Sequence, residues 1–323
     1  MSNRTMTDTA RPNRTGPVAF ALQGGGAHGA FTWGALDRLL EDGVRPEAIS
    51  GVSSGAINAT LLVQGLVRGG ALAARRELRG LWDRVARAHA LSPLRPGPLE
   101  RWLWGWDISN TPAWWGLDMA MRVFGPSQLN PLGHNPLRGV LSDLLDRRLL
   151  AHPDAPRLVI AATEVETGAA VLFDNARITV DALLASACVP FVFPAVTVDG
   201  RACWDGGFAG NPPLAPLLTP PLPAVLVLIR AQSARRPGVP TTQADILNRI
   251  TEIAGQNVLA AELAALPAGL RLIEIADDTA LGDLPVSSKF NGEAEFLDHL
   301  FQAGRAAAAG VARQIATGVP APA

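Results

Sequence analysis

Five apolar residues in a row, Val18 to Leu22, stop abruptly at a run of glycines. A short unbroken apolar run of this kind reads as a strand buried on both faces. Apolar residues return at Phe31, Ala35, Leu36, Leu39 and Leu40, the spacing of one helix face, and the pattern ends at Gly43. Ile49 to Val52 is a second short strand, and Ala56 to Val67 is apolar and helix-like, closed by Gly69 and Gly70. Another helix is predicted from Ala71 to His89. The order is strand, glycine loop, helix, strand, sharp turn, helix. It predicts an α/β protein with a mostly parallel central sheet between helical layers.

The pattern breaks between Leu91 and Pro136. Pro93, Pro96, Pro98, Pro112, Pro126 and Pro131 interrupt it, and Trp102, Trp104, Trp106, Trp114 and Trp115 are concentrated there. This segment, 91–136, reads as a helical cap or lid insertion. Its tryptophans admit two uses, a compact cap packed on its own core or a surface for an apolar–water boundary. Helical periodicity resumes at Pro136 to Leu150. Strands are predicted at Arg157 to Thr163 and Ala169 to Phe173, around a turn at Thr167-Gly168, and at Ala224 to Ile229 and Leu270 to Ile275. Helices are predicted at Val180 to Ala187, Ala244 to Ala265 and Glu293 to Gln314. One domain over 17–315 follows, with a polar tail at 1–16 expected to be disordered and a frayed end at 316–323.

Composition narrows the partners. Apolar residues make up 48% and charged residues 18% of 323, with a net charge of −1. A chain this close to neutral is no general nucleic-acid binder. The N-terminal stretch has Arg4, Arg11 and Arg14 but no apolar segment of a secretory signal. No eighteen-residue apolar run predicts a membrane span. Cys188 and Cys203 sit in no CxxC or Cys/His cluster, so neither a metal site nor a disulfide is implied, no cofactor is called for, and a cytoplasmic setting is expected. Contact with a membrane surface stays open, and oligomeric state is not legible.

The chemistry concentrates in three short segments. Gly51-Val52-Ser53-Ser54-Gly55 lies between a predicted strand and a predicted helix. GxSxG in that setting is a nucleophile elbow: the tight turn lifts the Ser53 hydroxyl clear, and the flanking glycines leave room for the neighbouring strand and helix. Gly24-Gly25-Gly26-Ala27-His28-Gly29 also joins strand to helix. Through Gly24, Gly26 and Gly29 it fits the dinucleotide GxGxxG spacing, but the next strand ends in Ser53 rather than in a ribose-binding acid. Its other meaning is an oxyanion hole formed by backbone amides. The base is the third need. His299 falls inside a helical pattern, His89, His134 and His152 carry no motif, and His28 follows the glycines. What remains is Trp204-Asp205-Gly206-Gly207, an aspartate released onto glycines, able to act as base if it meets the serine directly.

Together these segments resemble the patatin-like phospholipase family. The resemblance runs from Gly24 to Gly29, through Gly51 to Gly55 and on to Ala56-Ile57-Asn58-Ala59. It continues in Ala185-Ser186-Ala187-Cys188-Val189-Pro190 with Phe193-Pro194, and in Asp205-Gly206-Gly207 to Asn211-Pro212. It implies a three-layer α/β/α patatin-like fold and a lipid acyl hydrolase with a Ser53–Asp205 dyad. It further implies an oxyanion hole at Gly24, Gly25 and Gly26, and a base held by the backbone of Gly206 and Gly207. Many members carry Arg or Lys where His28 stands, so a head-group contact at that position would here depend on pH. An esterase, thioesterase or polyester depolymerase using the same dyad stays open, as does a nucleotide-binding protein.

Overall fold

A computed structural model describes residues 16–317; the expected tails fall, apart from Gly16, Ala316 and Thr317, outside the described residues. The chain runs β1 (Val18–Leu22), α1 (Gly29–Glu41), β2 (Ala48–Val52) and α2 (Ser54–His89), then a string of short helices. These are α3 (Pro98–Trp104), α4 (Pro112–Val123), α5 (Pro126–Leu129), α6 (Pro136–Leu144) and α7 (Arg147–Leu150). Next come β3 (Arg157–Glu164), β4 (Ala170–Asp174), α8 (Val180–Ser186), β5 (Val196–Val198) and β6 (Arg201–Asp205). The last part is β7 (Val225–Ile229), α9 (Gln243–Ala264), β8 (Arg271–Ile275), α10 (Asp278–Leu281), α11 (Ala294–Ala307) and α12 (Val311–Thr317).

The eight strands form one sheet in the order β5-β6-β3-β2-β1-β7-β8, with β4 on β3 as well. The pairs β3–β2, β2–β1, β1–β7 and β7–β8 are parallel; β4 and β6 meet β3 antiparallel. Every residue of β1 and β7 is buried. Their side chains alternate between two cores. Phe20, Leu22, Val227 and Ile229 face the core shared with α1, α2 and α11, while Ala19, Ala21, Leu226 and Leu228 face Leu259 of α9 with Leu214 and Leu217. A strand buried on both faces has no polar side to alternate with, which is why its sequence reads as an unbroken apolar run. The fold is the expected three-layer α/β/α arrangement.

Several boundaries differ from the sequence reading. The two helices expected either side of Gly69-Gly70 are there: α2 carries both, and its backbone leaves the helical conformation at those two glycines, with Gly70 at φ 69°. The element passes a length-and-composition test for a membrane span only when counted across that break, and its first dozen residues are buried in the core. Gly310 in the left-handed region, φ 84°, divides the long C-terminal pattern into α11 and α12. The short strand β5 was missed because three residues pairing at a sheet edge leave no periodicity to read.

The cap is a string of short helices, several opened by a proline at the first turn. Its tryptophans divide between buried and exposed positions. Trp114 is buried against Phe290, and Trp106 packs on Phe296 beneath the Arg101 guanidinium. Trp102 and Trp115 stand 80% and 64% exposed.

Candidate active site

The site is assembled by the edge of β3. Along that edge β2 pairs up to Val52 opposite Ala161; on the opposite edge β4 occupies residues 159 to 163. β6 therefore takes the edge of β3 that β2 vacates, starting at Ala162 opposite Asp205. Ser53 is the residue after Val52, so the two candidate residues converge at one point from strands running in opposite directions.

Ser53 sits at φ 53° and ψ −128°, a conformation that a side chain rarely tolerates and that marks a residue held by its surroundings. What holds it is visible. Its backbone N–H donates to the Ser186 hydroxyl at 2.9 Å, and Ser186 is fully buried at the end of α8. The turn is feasible only because two backbones come very close. A methyl on Gly55 would collide with the Leu22 carbonyl, and one on Gly51 would lie 2.8 Å from the Gly55 oxygen. Ser53 itself is buried.

Asp205 is half-buried. The Gly207 N–H donates to its Oδ1 at 2.8 Å, and its own N–H donates to the Cys188 carbonyl at 2.8 Å. The Thr163 hydroxyl donates to its carbonyl oxygen at 2.8 Å. Gly206 serves by having no side chain, since a methyl there would strike the Ala161 carbonyl. Dehydration pushes the Asp205 carboxyl up to about 6, opposed by the Gly207 hydrogen bond, by a hydrogen bond from Ser53 and by the charge of Lys289. A carboxylate with its proton affinity raised toward neutrality, in hydrogen-bonding reach of a strained serine, is equipped to accept that serine's proton.

The glycine loop is divided in its duties. Gly24 donates its N–H to the Asn211 side-chain oxygen at 2.7 Å, and Gly25 donates to the Ser54 hydroxyl at 3.1 Å. Gln23 and Gln232 brace the loop, Gln232 through its side-chain N–H to the Gly24 carbonyl at 2.8 Å. Gly26 is at φ 59° and opens a single 3₁₀ turn, Gly26–His28, ahead of α1. Among the described residues, no hydrogen-bond acceptor meets the N–H of Gly26 or of Ala27, the donors left over at a helix start. The loop expected to offer three glycine amides thus has two of them engaged, and its free donors lie one residue further on. Gly29 allows the helix to pack on Ser54, 2.6 Å from a hypothetical methyl.

His28 differs from the pH-dependent head-group contact expected of it. It is buried, its Nε2 is 2.7 Å from the Ser288 hydroxyl, and burial next to Lys289 pushes its pKa down to about 3. The ring is neutral at any physiological pH and carries no charge to a substrate. Asn211, Ser186, Ser54, Thr163 and Lys289 were not singled out as functional by sequence reasoning. The first three lie inside the resemblance segments, and their proximity to the site was the available signal; Lys289 had none.

Comparison with known proteins matches this chain to the family Patatin-like phospholipase over residues 20–218, more than half its length. The chain belongs to the patatin-like phospholipase family. The matched span of this patatin-like protein contains both Ser53 and Asp205, and family membership makes it a lipid hydrolase by class. Among solved structures it is similar to VipD from Legionella pneumophila, at 15% identity and a TM-score of 0.43, covering 93% of this chain and 67% of VipD. It is also similar to ExoU in its complex with SpcU from Pseudomonas aeruginosa, at 18% identity and a TM-score of 0.39. That match covers 97% of this chain but 57% of ExoU. No curated protein matches the sequence. The glycine loop that also fits a dinucleotide spacing is built in this patatin-like chain as a brace for the serine turn.

Proposed function

We propose that the protein hydrolyses carboxylic esters of lipids through a Ser53–Asp205 dyad and an acyl-enzyme intermediate. The convergence of a strained Ser53 and a dehydrated, backbone-held Asp205 at one point of the β3 edge carries this reading. Asp205 takes the proton of the Ser53 hydroxyl as its oxygen attacks the ester carbonyl. The oxyanion is received by the amides of Gly26 and Ala27, with Gly25 joining if Ser54 releases it. Asp205 then returns the proton to the departing alkoxide, later removes one from the water that frees the acid, and passes that proton to the departing Ser53 oxygen. No histidine takes part. A fluorophosphonate probe should label the wild-type chain at Ser53 and leave Ser53→Ala unlabelled; labelling that survives in Ser53→Ala overturns the mechanism. Running phospholipids beside p-nitrophenyl esters and acyl thioesters ranks the substrates this dyad accepts.

The cap supplies a surface for the lipid phase. Trp115, Met119 and Val123 recur at one-turn intervals along α4 and are all more than 60% exposed, with Trp102 and Leu99 on α3. Tryptophans in this setting favour the boundary between acyl chains and water. Changing Trp102 and Trp115 to Ser should release the protein from liposomes. Trp106, packed on Phe296, is not part of this surface.

A further inference from the structure

His28 is a buried polar residue that the proton transfers leave unused, and it directly follows the two free amides. It ends the 3₁₀ turn that Gly26 opens, and its own N–H donates to the Gly25 carbonyl at 3.2 Å. The ring is held by polar groups from two elements. Nε2 is 2.7 Å from the Ser288 hydroxyl, itself 2.7 Å from the Pro285 carbonyl, and the Ala231 backbone hydrogen-bonds the ring as well. Phe296 meets it edge-on, with ring centroids 6.4 Å apart. A leucine would fill such a space with no polar atom to satisfy, so a histidine here has to gain by where its nitrogens are held.

Both partners of the ring also touch the glycine loop. The turn Val286–Phe290, which carries Ser288, lays the Lys289 carbonyl 2.5 Å from where a methyl on Gly26 would be. Ala231 lays its carbonyl 3.1 Å from where a methyl on Gly25 would be. The loop is thus threaded between two strips of backbone, and the His28 ring joins them. The turn that carries Ser288 is a firm anchor. The Ser287 hydroxyl is 2.7 Å from the Ser109 hydroxyl and 3.2 Å from an Asp107 carboxylate oxygen, and the Lys289 ammonium lies 3.5 Å from Glu252. Helix α1 has other fastenings: Gly34 brings it against the Phe301 carbonyl of α11, and Gly29 brings it against Ser54. The hydrogen bonds of the ring therefore act on the first turn, where they fix the direction of the Gly26 and Ala27 N–H groups.

We propose that His28 is a positioning residue for the oxyanion hole, a pin that aims the amides of Gly26 and Ala27 at the carbonyl oxygen of the substrate. The proposal rests on the Ser53–Asp205 reading. As the Ser53 oxygen bonds to the carbonyl carbon and its proton passes to Asp205, the carbonyl π pair moves onto oxygen. Donors already aimed at that oxygen hold it without reorganising. The ring transfers no proton; it works by place. A cation in its position would serve worse, since the charges of Lys289 and Arg236 oppose one there and only that of Glu252 favours it.

The test uses the full chain with p-nitrophenyl butyrate and an octyl trifluoromethyl ketone, which adds to the serine and leaves a tetrahedral oxyanion in the hole. His28→Leu should lower kcat about 100-fold with KM held within about twofold, and should weaken the ketone by about the same factor as kcat/KM. His28→Gln, whose amide reaches toward Ser288, should recover most of both. Ser288→Ala should lower kcat about tenfold, and adding it to His28→Leu should cost nothing more. A ketone affinity unchanged in both single variants, or a loss carried by KM, overturns the proposal. If His28→Leu does not fold, Ser288→Ala decides: wild-type melting with the fall in kcat upholds the pin, and an unchanged kcat overturns it. Fluorophosphonate labelling separates this proposal from the reading beneath it. If Ser53→Ala keeps its label, the dyad fails and the pin fails with it; if the label is lost there and the ketone affinity stays put in the variants, the pin alone fails.

Discussion

The catalytic end of the sheet and the cap are built on opposite terms. Around Ser53 and Asp205 the contacts are mostly between main chains: Gly55 on Leu22, Gly206 on Ala161, and the Asp205 amide on the Cys188 carbonyl, with the Ser53 amide on the buried Ser186 hydroxyl. In α3 and α5 of the cap no residue is buried, and in α4 only Trp114 is. The cap is fastened by a few side chains instead, Arg101 to Glu293 and Glu295, Arg122 to Gln243, Trp114 to Phe290. Where backbone meets backbone, every position is dictated. Where a few anchors hold a segment, most of its surface is free to face something else, and here it presents tryptophan and methionine.

Substitutions should separate the two regions, and the steepest loss belongs to the reacting groups. Ser53→Ala and Asp205→Asn should each lower kcat by about 10³-fold or more in a lipid-ester assay. Asp205→Asn should at the same time raise Tm. The folded carboxyl titrates at about 6 against 3.8 when unfolded, so the wild type loses stability as pH rises through that window and the full penalty stands above it. The Tm advantage of Asn should therefore be absent at the acid end and full at pH 8, worth about 1–2 kcal/mol for a half-buried group. Gly206→Ala places a methyl into the Ala161 carbonyl and should destabilise by about 2–4 kcal/mol in urea melts. The same ionisation sets the activity profile. kcat/KM should rise through about pH 6 and be down about tenfold one unit below that. Trp115→Ser in the cap should shift unfolding by less than about 0.5 kcal/mol while weakening liposome binding. A cap substitution that melts the protein like Gly206→Ala would erase the contrast.

Legibility in the sequence follows the same division. β1 and β7 announced themselves because strands buried on both faces must be apolar throughout, and Ser53 because its turn demands glycines two residues either side. Asp205 was legible only by elimination and resemblance, since an Asp-Gly-Gly by itself is an ordinary turn. Its pairing with Ala162 is a long-range register that no local pattern encodes. The division of the glycine loop into braced and free amides was hidden for a like reason: Asn211, 187 residues from Gly24, decides it. The mixed fate of the tryptophans, Trp114 inside and Trp115 outside, is a one-residue difference on a short helix that composition does not resolve.

The handover along β3 has a consequence for how the chain can change length. Serine and aspartate meet because β2 stops and β6 starts at neighbouring rungs of one ladder. Deleting one residue from within β6, in the β5–β6 hairpin, would remove a single side chain, yet slip the ladder with β3 and turn Asp205 to the opposite face of the sheet. The distance between the two groups is thus kept by counting residues rather than by packing them. The loops of this protein should tolerate insertion freely in the cap and not at all in that hairpin.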